Sequence, residues 1–595
     1  MKQFIQFLFA STLGFFLAAI LMFLLLIGLG TAAVTFVEGN KTSVINENSL
    51  LHIKLNKPIL DRTSDDPFQN FDFISMKSNP NLGLNGILEN INKAKGDDNI
   101  SGIYLDLSTI SAGYATASEI RSALQSFKDE SDKFIIAYSE MISQKAYYLA
   151  SVADTVYLNP EGYFQFTGLS TTLPFFKGAF EKLDIEPQIV RHGKFKSAIE
   201  PFVLDKMSDE NKEQTELFIG GIWSDVLNGI SSSRSMSIAE MNSIADSLRI
   251  SSAGAALSYN FVDKLYFQDQ VIADLKKRLN VESDEKINFI SMGKYSNVPK
   301  SLASTKTKGV IRDKIAVIYA QGNIVDGEGN KDEIGGARIA KAIREARLNE
   351  KVKAIVLRVN SGGGSALASD VMWREVMLAK ETKPVVASMG DVAASGGYYM
   401  SCAADTIVAS SSTITGSIGV LGVMFNLKKF FNNKLGLTFD GVKTNECADI
   451  GSQVRPMTEM ERNVIQSEIE RIYDVFITHV AEGRRLTKEQ VDSIGQGRVW
   501  CGEDARKLGL VDVIGGLEKA IKIASEMASL EQYRLLELPK QKDPIEEIVS
   551  DLVGEVETRV LKSKLGVDYE HYLWLEYFRK TAGIQAIMPH TYKLN

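Results

Sequence analysis

The sequence is 595 residues long, 45% hydrophobic and 24% charged, with a formal net charge of −7. That length exceeds what one hydrophobic core supports, so several domains or a repeated one are expected. An acidic balance without a Lys/Arg cluster excludes nucleic acid as a partner, and scattered cysteines (Cys402, Cys447, Cys501) and histidines exclude a disulfide framework and a metal site.

The first feature in chain order is an uncharged run from Gln3 to Val37, almost continuously apolar at its centre. About 20 apolar residues cross a bilayer, whereas a secretory leader needs about 7 to 15, so this run is long enough to span. The small residues at 30–34 leave a cleavable leader as the alternative. Lys2 precedes the run and Glu38 follows it, so the positive-inside rule keeps the N-terminus cytoplasmic and exports the rest of the chain.

Beyond this anchor the chain repeats itself at an offset of about 251 residues. "ISGIYLDLS" (100–108) matches "VKAIVLRVN" (352–360), and "KAYYLASVADTVYL" (145–158) matches "GGYYMSCAADTIVA" (396–409). "KMSDENK" (206–212) matches "PMTEMER" (456–462), and "FVDKL" (261–265) matches "LVDVI" (510–514). The expected organisation is an anchor over 1–47, a first repeat over 48–270, a connector over 271–312, a second repeat over 313–530 and a tail over 531–595. In each repeat short Val/Ile-rich runs alternate with helical patterns, which predicts an α/β layer fold with function at strand ends. Both "MSDENKEQTELF" and "MTEMERNVIQSEIE" carry Ser or Thr before acidic residues, a helix-capping pattern. In the tail, Ile545, Ile548, Val549, Leu552, Val553 and Val556 recur at helical spacing and predict an amphipathic helix.

The two copies differ where chemistry would lie. The second has "NSGGGS" (360–365) after its "KAIVLRV" strand, where the first has "STISAGYA". Consecutive glycines allow close backbone approach, and their N–H groups can bind a developing oxyanion; a plain tight turn is the other reading. Ser395 in "AASGGYY" aligns with Gln144 and falls at the end of a strand, next to a helix N-terminus. It reads equally as a nucleophile or as a helix cap. The base must come from elsewhere. Lys196 in "RHGKFKSAIEPF" aligns with Ala448, so one copy keeps the lysine and the other the serine, as expected if both build one site. A lysine base must be neutral, which requires lowering its pKa by about three units, or about 4 kcal/mol, through desolvation. Phe195, Ala198, Ile199 and Phe202 suit such an apolar pocket, and His192 is the rival base.

These motifs, with "ASMGDVAASGGYYMSCAADTIVASSSTITGSIGVLG" and "GRVWCGEDARKLGLVDVIGG", resemble the signal peptide peptidase A family in its long, duplicated form, over residues 48 to 530. The resemblance implies two tandem crotonase/Clp-protease-like domains after an N-terminal transmembrane helix. It implies a Ser/Lys dyad that degrades released signal peptides and other apolar peptides through an acyl-enzyme, without a cofactor. By motif, Ser395 is the nucleophile, Lys196 the general base and Ser417 of "TGSIGV" the residue that orients the lysine. Gly363 and Gly396 are the oxyanion donors, and Ser361, Gly362 and Gly364 line the substrate. The family commonly has proline where this chain has Gly362, which loosens the turn without removing a donor. The resemblance also implies a homotetramer in the inner (cytoplasmic) membrane, single-pass, with its catalytic domains on the extracytoplasmic side. A crotonase-type acyl-CoA enzyme and a non-catalytic membrane scaffold are the alternatives.

Overall fold

The computed structural model describes residues 2–39, 45–64, 83–299, 311–541 and 583–588, so the amphipathic helix expected over 545–556 lies outside the described residues. The apolar N-terminal run forms one helix, Lys2–Gly39. The expected membrane span is not supported: among the described residues no helix is long and apolar enough to cross a membrane.

The first repeat carries strands β1 (Ser49–Ile53), β2 (Ile100–Asp106), β3 (Phe134–Ile142) and β4 (Thr155–Phe164). After them come β5 (Glu186–Arg191), β6 (Lys264–Leu265) and β7 (Phe289–Ser291). Six of these form a parallel sheet in the order β6-β4-β3-β2-β1-β7. Such a sheet is covered by helices on both faces, which is why its strands read as nearly continuous apolar runs. Strand β7, within the stretch read as a connector, pairs with β1.

The second repeat begins with β8 (Lys314–Gln321), β9 (Asn323–Val325), β10 (Glu333–Gly335), β11 (Val352–Ser361) and β12 (Gly363–Ser365). It continues with β13 (Val385–Ala394), β14 (Thr406–Ala409), β15 (Ile414–Gly416), β16 (Leu421–Asn426), β17 (Val499–Cys501) and β18 (Val513–Ile514), and β19 (Arg534–Leu538), from the stretch read as the tail, pairs with β8. Its sheet runs β17-β15-β13-β11-β8-β19, with β14 and β18 joined beside β13. The repeat is also visible in the helices. Asp209–Arg234 and Glu459–Arg484 are both 26 residues long. Their N-caps Ser208 and Thr458 accept the N–H groups of Asn211 and Glu461, as the capping pattern predicts.

A third sheet joins the repeats, in the order β10-β9-β12-β20-β16-β5, where β20 is Gly583–Ile587 of the tail. Strand β5 of the first repeat lies antiparallel to β16 of the second, from Leu421 opposite Arg191 to Asn426 opposite Glu186. Phe180, Ile199, Leu421, Val423 and Phe425 pack beneath this pairing. Elsewhere the repeats are held by polar groups. Asp391 of the second repeat accepts the N–H groups of Gly113 (3.2 Å) and Thr116 (2.9 Å) at the start of helix Tyr114–Glu130. Arg358 on β11 is fully buried between Asp61 and Glu119 of the first repeat, with Nη2 at 2.7 Å from each carboxylate.

Candidate active site

The chain turns sharply after β13. Ser395 has φ 54° and ψ −114°, and the helix Gly396–Ser401 starts immediately behind it. A positive φ is strained for serine and persists only where surrounding structure imposes it. Here the Ser395 N–H donates to Gly416 O (2.8 Å), and its own carbonyl accepts the Tyr399 N–H (2.8 Å). The equivalent helix of the first repeat, Gln144–Ala150, shows what a serine cap looks like here. Its N-cap Ser143 sits at φ −74°, and the Ser143 hydroxyl accepts the Ala146 N–H. Ser395 makes no such bond, so its hydroxyl is free of the cap role.

What the Ser395 hydroxyl meets is Lys196. The Lys196 Nζ lies 2.8 Å from Ser395 Oγ, 3.0 Å from Ser417 O and 3.0 Å from Ser417 Oγ. All three side chains have no solvent exposure (0%). A neutral amine has two N–H groups and one lone pair. Donating to the carbonyl and hydroxyl of Ser417 leaves the lone pair facing Ser395. Every oxygen in contact with Nζ is uncharged, and burial pushes the Lys196 pKa well below the ordinary lysine value of 10.5.

Lys196 is carried on the turn after β5 and seated by residues of both repeats. The Gln214 amide donates to Phe195 O (3.2 Å) and Ser197 Oγ (2.8 Å), on either side of the lysine. Arg498 lies 4.5 Å from both the Phe195 and the Trp500 rings. The loop bearing Gly497 closes over the lysine backbone. Gly497 has φ +84°, and a Cβ there would stand 2.7 Å from the Lys196 N, Cα and Cβ. Gly497→Ala is therefore expected to displace the lysine and lower kcat by on the order of 100-fold. Steady-state hydrolysis of an apolar peptide, alongside a thermal melt, measures this; a variant with unaltered kcat contradicts the seating. Sequence reading did not single out Gln214, Gly497 and Arg498: Gln214 is one polar residue within a helix, and Gly497 and Arg498, although part of a quoted motif, lie in the other repeat from the lysine they seat.

The other expected site residues fall around this centre. Ser417 (φ 50°) is held by its N–H donating to Arg498 O at 2.7 Å. Gly396 is the first helical residue, so its N–H has no partner within the helix. The Gly363 N–H donates to Ser361 Oγ (3.1 Å), and the Ser361 hydroxyl donates to Gly322 O (2.6 Å), so Ser361 braces its own loop. Gly362 accepts the Met588 N–H, and Gly364 lies opposite Ala586 of β20. His192, the rival base, is directed elsewhere: its Nδ1 is 2.6 Å from Glu470, and its ring stacks on Tyr473 at 3.8 Å. Among the described residues no group of His, Cys, Asp and Glu is arranged to hold a metal ion.

The model of peptidase family S49 matches residues 127–282 and 377–531, one stretch in each repeat. The chain is 36% identical to "Serine protease SPPA, chloroplastic" of Arabidopsis thaliana, over 87% of this chain and 76% of that one. It is 39% identical to "Protease 4" of Salmonella typhi, over 79% of this chain and 76% of that protein. With "Protease 4" of Haemophilus influenzae the identity is 36%, over 82% and 79%. Among solved structures, a ClpP1 variant from Listeria monocytogenes aligns over 34% of this chain and 94% of its own, at 13% identity and a TM-score of 0.23.

Proposed function

We propose, from the premise that the chain belongs to peptidase family S49 as a serine protease of the long SppA type, that Ser395 and Lys196 are its catalytic dyad. The observation that carries this is the buried Nζ at 2.8 Å from Ser395 Oγ with no anion in contact. A protonated lysine in that place would be an uncompensated buried charge, so the site favours the neutral amine that a general base requires. Lys196 takes the Ser395 proton as Oγ attacks a peptide carbonyl. The Gly396 N–H faces the developing oxyanion, where a donor is worth about 2.7–4 kcal/mol in comparable chemistry; the Gly363 N–H, expected beside it, donates to Ser361 Oγ instead. The protonated lysine then gives its proton to the leaving amine, and water hydrolyses the ester by the same route in reverse. Ser417 keeps the lone pair pointed at Ser395. No step calls for a cofactor.

A serine-directed covalent probe tests the dyad. The full chain in detergent is expected to take one label at Ser395, and Ser395→Ala none; equal labelling of the variant refutes it. Activity is also expected to depend on pH with a defined sign. The base works deprotonated, so kcat/KM rises with pH through the depressed Lys196 pKa and levels off below the ordinary lysine range. A profile that is flat through that region, or falls with rising pH, rules out a lysine base.

Further parts of the proposal concern setting. Phe4, Phe9, Phe15 and Met22 on helix Lys2–Gly39 are 71%, 76%, 71% and 66% exposed, which supports contact with a lipid bilayer as the chain's anchor. With Lys2 before the apolar run and Glu38 after it, the catalytic body faces the extracytoplasmic side of the inner membrane. Spent signal peptides, apolar and already membrane-associated, are the substrates such an anchored site would meet, and a homotetramer is the expected assembly. The acyl-CoA and scaffold alternatives give way to the family assignment.

A further inference from the structure

The loop that covers Lys196 holds a strained backbone. Gly495, Gln496, Gly497 and Arg498 follow helix Lys488–Ile494, and Gln496 has φ 52°. A positive φ is unfavourable for a residue with a side chain, so neighbours must impose it. Two hydrogen bonds do so. The Phe195 N–H donates to Gln496 O (3.0 Å), and the Gln496 N–H donates to the Tyr473 hydroxyl (3.2 Å). The first joins the loop to the turn that carries the lysine, and the second ties it to the body of the second repeat.

Tyr473 lies on helix Glu459–Arg484 and is buried. Its hydroxyl donates to Asp492 Oδ1 (2.6 Å), which leaves its oxygen lone pairs for the loop, and Gln496 Nε2 donates to the other Asp492 oxygen (3.3 Å). A Cβ at Gly495 would stand 3.3 Å from the Tyr473 oxygen, so loop and hydroxyl are in close contact. His192 stacks on the ring at 3.8 Å, with its Nδ1 2.6 Å from Glu470. Tyr473 thus touches both the turn before Lys196 and the loop over it. The charged groups around the seat are Arg191, which donates to Lys196 O (3.4 Å), and Lys194 and Arg498, 5.2 Å and 4.5 Å from the Phe195 ring. Asp492, Glu470 and His192 face Tyr473, and among the described residues none of these six is paired with Lys196 Nζ.

We infer that Tyr473 is a positioning residue of the dyad, whose hydroxyl pins the 495–498 loop on Lys196 and so keeps water from its amine; this rests on the Ser395/Lys196 reading above. With the loop down, Lys196 has no solvent exposure and meets only uncharged oxygens. With the pin removed, water that reaches Nζ stabilises the ammonium form. The base is then lost to protonation at neutral pH, and it returns once alkaline solution removes the proton.

Tyr473→Phe removes the pin and keeps the ring on His192. The full chain in detergent, as wild type and as this variant, is assayed on an apolar peptide over a pH series that reaches the ordinary lysine range. The rising midpoint of kcat/KM is expected about one unit higher in the variant, so that rates below it fall about tenfold. On the alkaline plateau kcat and KM are expected within about threefold of wild type. Amide hydrogen exchange over residues 494–500 is expected to quicken by about tenfold or more. An unmoved midpoint, whether or not the plateau falls, overturns the role of Tyr473, because a merely structural loss lowers the rate at every pH alike. Unchanged exchange in the loop overturns the pin. Lys196→Met, assayed in parallel, separates this from the dyad. If Lys196→Met keeps the wild-type rate, the dyad itself is overturned; if it is inactive while the Tyr473→Phe profile superimposes on that of the wild type, only the assignment of Tyr473 falls.

Discussion

Lys196→Met is expected to lower kcat by about 10⁴-fold or more, equivalent to about 5.5 kcal/mol of lost transition-state stabilisation. Methionine is close to lysine in length and keeps the pocket filled, but it has no lone pair of comparable basicity to accept the Ser395 proton. General-base catalysis alone contributes about 10²–10⁴-fold, and a nucleophile and base that act as one unit fail together. The same substitution is expected to leave the protein more stable at neutral pH. The Lys196 pKa is depressed in the folded state by burial. Between that depressed value and the ordinary 10.5, the unfolded chain binds the extra proton, so wild-type stability climbs with pH over this window. Methionine carries no such penalty, and the stability gap between variant and wild type should close as pH approaches the ordinary lysine value. Peptide hydrolysis and chemical unfolding at several pH values measure both effects. A variant retaining more than a hundredth of wild-type kcat, with a pH-independent stability difference, contradicts both the role and the cause assigned to its burial.

Arg358→Met is expected to destabilise the chain by about 3–5 kcal/mol, because it strands two carboxylates in the interior. The Arg358 Nε and Nη2 donate to Asp61 and Glu119, and Nη1 donates to Ser388 Oγ (3.0 Å) and Met389 O (3.3 Å). Burial works against its charge, and the pull of the two carboxylates outweighs it, so the guanidinium pKa lies above its ordinary value. Burial also pushes the Glu119 carboxyl up, against the pull of Arg358. The second Glu119 oxygen accepts the Leu517 N–H of the other repeat at 2.6 Å, so the strain of an unpaired Glu119 reaches helix Leu517–Met527 as well. Lys196 and Ser395 come from different repeats, so loosening this junction should also lower activity. Adding Asp61→Asn and Glu119→Gln to Arg358→Met should recover part of the stability, since buried amides are less costly than buried unpaired charges. Denaturant unfolding decides the matter: a single variant within about 0.5 kcal/mol of wild type means the cluster does not hold the repeats together.

Much of this protein could be read along the chain, and the reason is local. A duplication leaves matched patterns at constant spacing, a parallel sheet demands continuous apolar runs, and caps are set by one residue and its near neighbours. The lysine kept in one copy and the serine kept in the other could be paired from sequence because a divided site leaves complementary losses. Other features depended on where distant segments meet. Whether Ser395 caps a helix or faces a base was undecided in sequence, since serine serves both; the turn at φ 54° and the arrival of β5 against β16 decide it. His192 and Lys196 differ by four residues, and only the direction each side chain takes after β5 separates them: one toward Glu470 at the surface, the other inward to Ser395. Arg358 looks like any charged residue in a strand until the other repeat brings Asp61 and Glu119 to it. The tail strand carries no signature of its own, because strand pairing is made by main-chain groups that every sequence possesses. Periodicity and spacing thus determined the repeats and the candidate pair, whereas tertiary packing alone decided the ionisation of Lys196, the junction at Arg358 and the place of the tail strand, since desolvation and pairing depend on neighbours in space rather than in sequence.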